Sequence, residues 1–148
     1  GLDASVLKKI VFESIRIKSA IVQRDVREKG ERRKLNFGHT LGHALEMTQG
    51  LSHGRAVGAG MAFAVRISAE RGLLSAKESA RISAFLRKAG LGLPDSVSCG
   101  SLLNTIRQDK KKERGRLHFV FLRSIGQAEV QNISFTELEE HINDLSQS

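Results

Sequence analysis

Residues 56 to 64 read AVGAGMAFA, and no other run limits the possible folds as much. Ala56, Gly58, Ala59, Gly60, Ala62 and Ala64 have almost no side-chain volume, so a second backbone can approach closely. The run continues through VRISAERG to Gly72, long enough for several helical turns. Its composition predicts a buried helix over 56–72.

The flanking sequence is also helical in pattern. Residues 3–26 carry apolar residues at helical spacing, with Asp3 or Ser5 as the cap. A charged passage containing Gly30 follows, and a second helix is expected from about Arg32 to Gln49, stopping near Gly50. LSHGRAV (51–57) reads as a turn. Residues 75–90 form a further helix, begun by Ser75 and stopped by Gly90. LGLPDSVSCG is a loop around Pro94, and SLLNTIRQDKK (101–111) is a short helix. β-Branched and aromatic residues on both sides of IGQA predict one short β-hairpin near 117–131. The last helix starts after Ser134, with Glu137 three residues on as a capping-box partner. The class is therefore mainly α: one multi-helical domain over residues 1–148 with a single hairpin.

Composition narrows the function. A single cysteine, Cys99, excludes an internal disulfide and fits a reducing compartment. No apolar run approaches the roughly 20 residues of a membrane helix, and the start, GLDASVLKK, lacks a signal-peptide pattern. A cytoplasmic protein without a membrane partner is expected. Its first residue, Gly1, fits a processed or excised chain. The net charge of +8 gathers in residues 24–34 and 109–116. Acidic residues interrupt both clusters and no aromatic residue interleaves with them, which disfavours a base-stacking surface and hence nucleic acid. A small anionic substrate suits the charge better.

The second helix carries LNFGHTLGHALE at residues 35–46. At about 100° per residue with Arg32 as origin, Asn36 falls near ~40°, His39 near ~−20°, His43 near ~20° and Glu46 near ~−40°. Phe37, Leu41, Ala44 and Leu45 fall on the other side. One face is thus apolar and the other is Arg, Asn, His, His, where a solvated face would carry Lys and Glu. Histidines at i, i+4 can share a metal ion, but the zinc-protease pattern requires a Glu where Thr40 stands. His53, in the SHGR that follows, is a third histidine able to return to this face. A lone histidine is more often an ordinary core or surface residue; three in this pattern favour a site. Lys18 lies on the apolar stripe of Leu7, Val11 and Val22, either snorkelling outward or held inward against an anion.

Three segments, SIRIKSAIVQRDVREKGERRKLNFGHTLGHALE, LSHGRAVGAGM and IRQDKKKERGRLHFVFLRSIGQAEV, resemble 3-dehydroquinate synthase of the sugar-phosphate cyclase superfamily. Order and spacing match along essentially the whole chain. The resemblance implies a phosphate-eliminating cyclase of the shikimate pathway. Its substrate is 3-deoxy-D-arabino-heptulosonate 7-phosphate, its products are 3-dehydroquinate and phosphate, and it uses NAD and Zn2+ or Co2+. It also implies roles. His39 and His53 resemble the metal ligands, and His43 resembles the histidine at the substrate's phosphate end, with Asn36 beside it. Arg32 and Lys18 resemble the cations that hold the carboxylate and hydroxyls, and Glu28 resembles an acidic residue of the same site. Lys110, with Lys111, resembles the lysine that reaches the phosphate.

The departures from that family are equally specific. Its members are more than twice as long, with an N-terminal nucleotide-binding domain that precedes the region matched here. No G-x-G loop after a strand is present to hold NAD, and the third metal ligand, a glutamate, belongs to the preceding segment. The family usually reads HGE where this chain has His53-Gly54-Arg55, and DE where it has Asp25-Val26. The expectation is the C-terminal part of such an enzyme, a homodimer when whole. The part alone should be inactive, with metal bound weakly or not at all. Asn36, His43 and Lys110 favour the dehydroquinate branch over valiolone or scyllo-inosose cyclases. The remaining alternative is a stand-alone helical module with a relic site.

Overall fold

The computed structural model describes residues 3–28, 30–94, 96–112 and 117–146. The chain divides into two units, Gly1–Leu35 and Asn36–Ser148.

Helix α1, Ala4–Arg24, makes up most of the first unit. Asp3 caps it: Oδ1 accepts the Ser5 N–H at 2.7 Å, pairing a donor that every helix start leaves open. No residue of α1 is buried. Leu7 and Val11, on the stripe of Lys18, are exposed, as are Ile10, Phe12, Ile15 and Ile17; Lys18 is exposed too. The helix ends where Asp25 reorganises the backbone. Its Oδ2 accepts the N–H groups of Gly30 at 2.7 Å and Arg32 at 3.1 Å, and Glu28, between Asp25 and Gly30, takes a left-handed φ of 53°.

A 3-10 helix, Glu31–Asn36, follows. Gly38 then adopts φ 81°, and α2 runs from His39 to Gln49. The continuous helix expected from Arg32 is therefore two elements separated by a left-handed glycine. A 3-10 helix turns about 120° per residue rather than 100°, and Gly38 breaks the count. The arc drawn from Arg32 through Asn36 to the histidines does not hold; only the relations among His39, His43 and Glu46 within α2 survive.

A second correction concerns residues 51–57, which are not a turn throughout. Helix α3 starts at His53, with Ser52 as its N-cap, and continues to Glu70. Only residues 50–52 link it to α2. As its small residues require, α3 is largely buried, from Ala56 to Gly60 and again at Phe63, Ala64, Val65 and Ile67. A Cβ on Gly60 would stand 1.9 Å from the Gly38 carbonyl oxygen, and one on Gly42 would stand 3.0 Å from Val57 Cα. Those two glycines let the backbones of α2 and α3 meet.

Helix α4, Ala76–Lys88, is capped by Ser75, whose Oγ accepts the Glu78 N–H. Helix α5 spans Cys99–Lys112. Strands β1, Leu117–Ser124, and β2, Gln127–Ile133, pair antiparallel with Val120 opposite Val130, and turn at Ile125-Gly126. Helix α6, Phe135–Asn143, starts at Ser134, whose Oγ accepts the Glu137 N–H. Leu41 and Leu45 of α2, Phe63 and Ile67 of α3, Leu102 and Ile106 of α5, Phe119 and Phe121 of β1, and Leu138 and Ile142 of α6 form one core. The buried Ser68 joins helix to sheet: its Oγ donates to Ala64 O at 2.6 Å and accepts the Leu122 N–H at 3.0 Å. The protein is mainly α with one hairpin, as its sequence implies.

Candidate functional site

The close α2–α3 contact has a local consequence. His39 and His43 stand one turn apart on α2, and the short link returns the chain so that His53 opens α3 beside them. The ring centroids are 5.3 Å apart for His39 and His43, 5.7 Å for His39 and His53, and 6.3 Å for His43 and His53. The three histidines singled out in the sequence thus meet in the second unit.

Their hydrogen bonds set which nitrogen each ring can offer. The Phe37 carbonyl oxygen lies 3.4 Å from His39 Nδ1. A carbonyl only accepts, so that contact requires the proton on Nδ1 and leaves the lone pair on Nε2. Glu46 Oε2 lies 3.0 Å from His53 Nδ1, and a carboxylate imposes the same tautomer. Burial is the main cause that holds the His39 pKa below its ordinary value, with further lowering by His43 and His53; the Phe37 and Asn36 backbone contacts oppose it. A neutral imidazole is the form that ligates a metal.

Two rings bound through Nε2 to one tetrahedral ion at about 2.0–2.1 Å have centroids roughly 5 Å apart. The 5.3 and 5.7 Å separations of His39 from its two neighbours are close to that spacing. Among the described residues, however, no group of three His, Cys, Asp or Glu side chains could hold a metal ion. The donors fit part of a coordination shell: paired imidazoles of suitable tautomer, in need of a further ligand.

The other predicted site residues lie elsewhere in the sequence. Asn36 is exposed at the end of the 3-10 helix. Lys18, Glu28 and Arg32 belong to the first unit. There Arg32 Nε stands 3.8 Å from Glu28 Oε2, and its Nη1 donates to the Val26 carbonyl at 2.9 Å. Lys110 and Lys111 are on α5, with their side chains outside the described residues. Arg55, in place of the expected glutamate, is exposed in the first turn of α3. Two residues without an assigned role do structural work at these places: Asp25, which closes the loop before Arg32, and Glu46, which holds His53. Glu46 was within reach of the sequence, since its position on α2 places it on the histidine side.

The family model described as 3-dehydroquinate synthase C-terminal matches residues 1–112. The chain is 43% identical over 139 residues to the 3-dehydroquinate synthase of Rhodopseudomonas palustris (strain BisA53), covering 82% of this chain and 36% of that one. It is 40% identical over 141 residues to the same enzyme of Pelobacter propionicus, covering 93% and 39%. It thus spans well under half the length of these relatives. A crystal structure of 2-deoxy-scyllo-inosose synthase complexed with carbaglucose-6-phosphate, NAD+ and Co2+ superposes with a TM-score of 0.81 at 22% identity, over 97% of this chain and 42% of that one. That likeness establishes the fold. A 2-epi-5-epi-valiolone synthase from Streptomyces hygroscopicus with NAD+ and Zn2+ bound gives 0.71 at 27% identity, over 95% and 39%.

Proposed function

Because this chain belongs to the 3-dehydroquinate synthase C-terminal family, we propose that it is the metal- and substrate-binding part of such an enzyme. The reaction is conversion of 3-deoxy-D-arabino-heptulosonate 7-phosphate to 3-dehydroquinate and phosphate, in the shikimate route to aromatic amino acids. One observation carries this reading. His39 and His53 approach each other with Nδ1 of each against an acceptor, so each has Nε2 left for a metal.

In this reading His39 and His53 hold a divalent ion, Zn2+ or Co2+, and a carboxylate from the rest of the protein completes the set. Bound there, the ion would polarise the substrate's hydroxyl and carbonyl. His43, exposed beside the pair, hydrogen-bonds the phosphate end of the substrate together with Asn36. Arg32 and Lys18 bind the carboxylate and hydroxyls, and Glu28, close to Arg32, completes that end. Lys110, with Lys111, neutralises the phosphate as it leaves. Guanidinium and ammonium groups suit a ligand bearing one carboxylate and one phosphate.

NAD does not fit these residues. The described strand β1 leads into the hairpin turn and β2 into the capped start of α6, and neither junction is a glycine-rich phosphate loop. NAD binding is assigned to the rest of the protein, and no step through it is derived for this chain. A homodimer belongs to the same proposal, since Phe12 and Ile15 on α1 leave apolar surface exposed.

The test is an assay of the full-length protein with Zn2+ or Co2+ and NAD. Phosphate release coupled to 3-dehydroquinate formation is expected. His39→Ala or His53→Ala should lower kcat/KM by more than the roughly 10–100-fold that loss of a supporting residue costs. Preference for a valiolone- or scyllo-inosose-type substrate lacking the carboxylate would move the protein to another branch of the superfamily. No turnover of either class would favour a non-catalytic module.

A further inference from the structure

Glu46 has no part in the reaction outlined above, yet it touches a proposed metal ligand. It lies on α2 seven residues before His53, with Oε2 3.0 Å from His53 Nδ1. The His53 side chain is 60% exposed and sits on the first residue of its helix, so little packing restrains the ring. The Glu46 hydrogen bond supplies that restraint and selects the Nδ1–H tautomer.

Charge gives a second reason for a carboxylate at this point. His53 stands at the N-terminus of α3, the positive end of the helix dipole, with Arg55 two residues on. Both repel a cation held by His53. The negative charge of Glu46 offsets that repulsion, which a neutral acceptor such as the Phe37 carbonyl beside His39 cannot do.

We propose that Glu46 is a positioning residue for the metal centre, holding His53 so that Nε2 is its ligating nitrogen and balancing the positive helix end. The inference rests on the reading that His39 and His53 bind a divalent ion.

The experiment titrates the full-length protein with Zn2+ against a chromophoric chelator, and with Co2+ by its visible absorption. Glu46→Ala is expected to weaken Zn2+ binding by about 10–100-fold and to perturb the Co2+ spectrum. Glu46→Gln keeps an acceptor and loses the charge, so it should fall between wild type and Glu46→Ala; it also carries the test should the alanine variant fail to fold. In a His53→Ala background, Glu46→Ala should cost almost nothing more, which a merely structural residue would not reproduce. Zn2+ affinities of both Glu46 variants within about threefold of wild type would overturn the proposal while leaving the metal site intact. An equal loss with and without His53 would do the same. Failure of the wild-type protein to bind either metal would instead remove the metal reading itself, and this proposal with it.

Discussion

His39 joins a local electrostatic effect to a measurable one. Burial lowers its pKa in the folded chain below the 6.5 it has when unperturbed. Over the interval between those values the unfolded chain binds more protons at this site than the folded one. Stability therefore rises with pH through that window, and it is lost as the pH falls below about 6.5 until the folded value is reached. Urea unfolding of wild type and His39→Gln between pH 8 and pH 5 should show a stability difference that shrinks on acidification from pH 6.5. A difference that stays constant or grows would contradict a neutral, half-buried His39. The sequence made this residue conspicuous through its i, i+4 partner. It could not show which nitrogen the ring offers, because that depends on the Phe37 carbonyl, a backbone atom placed only when Gly38 turns left-handed. The same limit hid the work of Asp25, whose two amide contacts depend on where the backbone of Gly30 and Arg32 comes to lie.

At the level of elements, the small residues of α3 were legible because helix packing leaves few uses for them. Their contact partners were not. Gly60 meets the Gly38 carbonyl, and Gly38 is also the residue that splits the segment read as one helix from Arg32 to Gln49. Propensity sees Gly38 as a tolerable flaw in a helical pattern, whereas the fold uses its positive φ to end a 3-10 helix and start α2. The pattern likewise puts His53 in a turn because Gly and Ser surround it, although Ser is a residue type favoured at helix starts; Ser52 takes the N-cap position of α3 without a side-chain cap hydrogen bond. Gly60→Ala would force a Cβ to 1.9 Å from that carbonyl oxygen, and backbone must move to relieve it. A loss of about 3 kcal/mol or more is expected in denaturant unfolding, with the histidine cluster disturbed as α2 and α3 separate. Ser68→Ala tests the helix–sheet joint: it removes the acceptor of the Leu122 N–H and should cost about 1–2 kcal/mol with an unchanged urea m-value. A near-zero effect would mean that another acceptor reaches Leu122.

For the whole molecule, the distribution of functional groups matters more than their number. The residues proposed to bind substrate are divided between the two units, whereas the proposed ligands form a pair of histidines within the second unit. Catalytic zinc sites generally use three protein ligands and keep one position open for water or substrate. A pair leaves the ion short of one ligand, and the chain spans only 36% of the length of a relative to which it is 43% identical. The 148-residue chain should therefore bind Zn2+ about 100-fold or more weakly than the full-length protein, a difference of roughly 2.7 kcal/mol. Supplied with Zn2+, NAD and the heptulosonate phosphate, it should release no phosphate above background. Parallel calorimetric titrations and a phosphate-release assay on the two polypeptides check both expectations. Turnover by the 148-residue chain would mean that it already holds the nucleotide and the ion, and the division of labour proposed for the whole enzyme would be wrong.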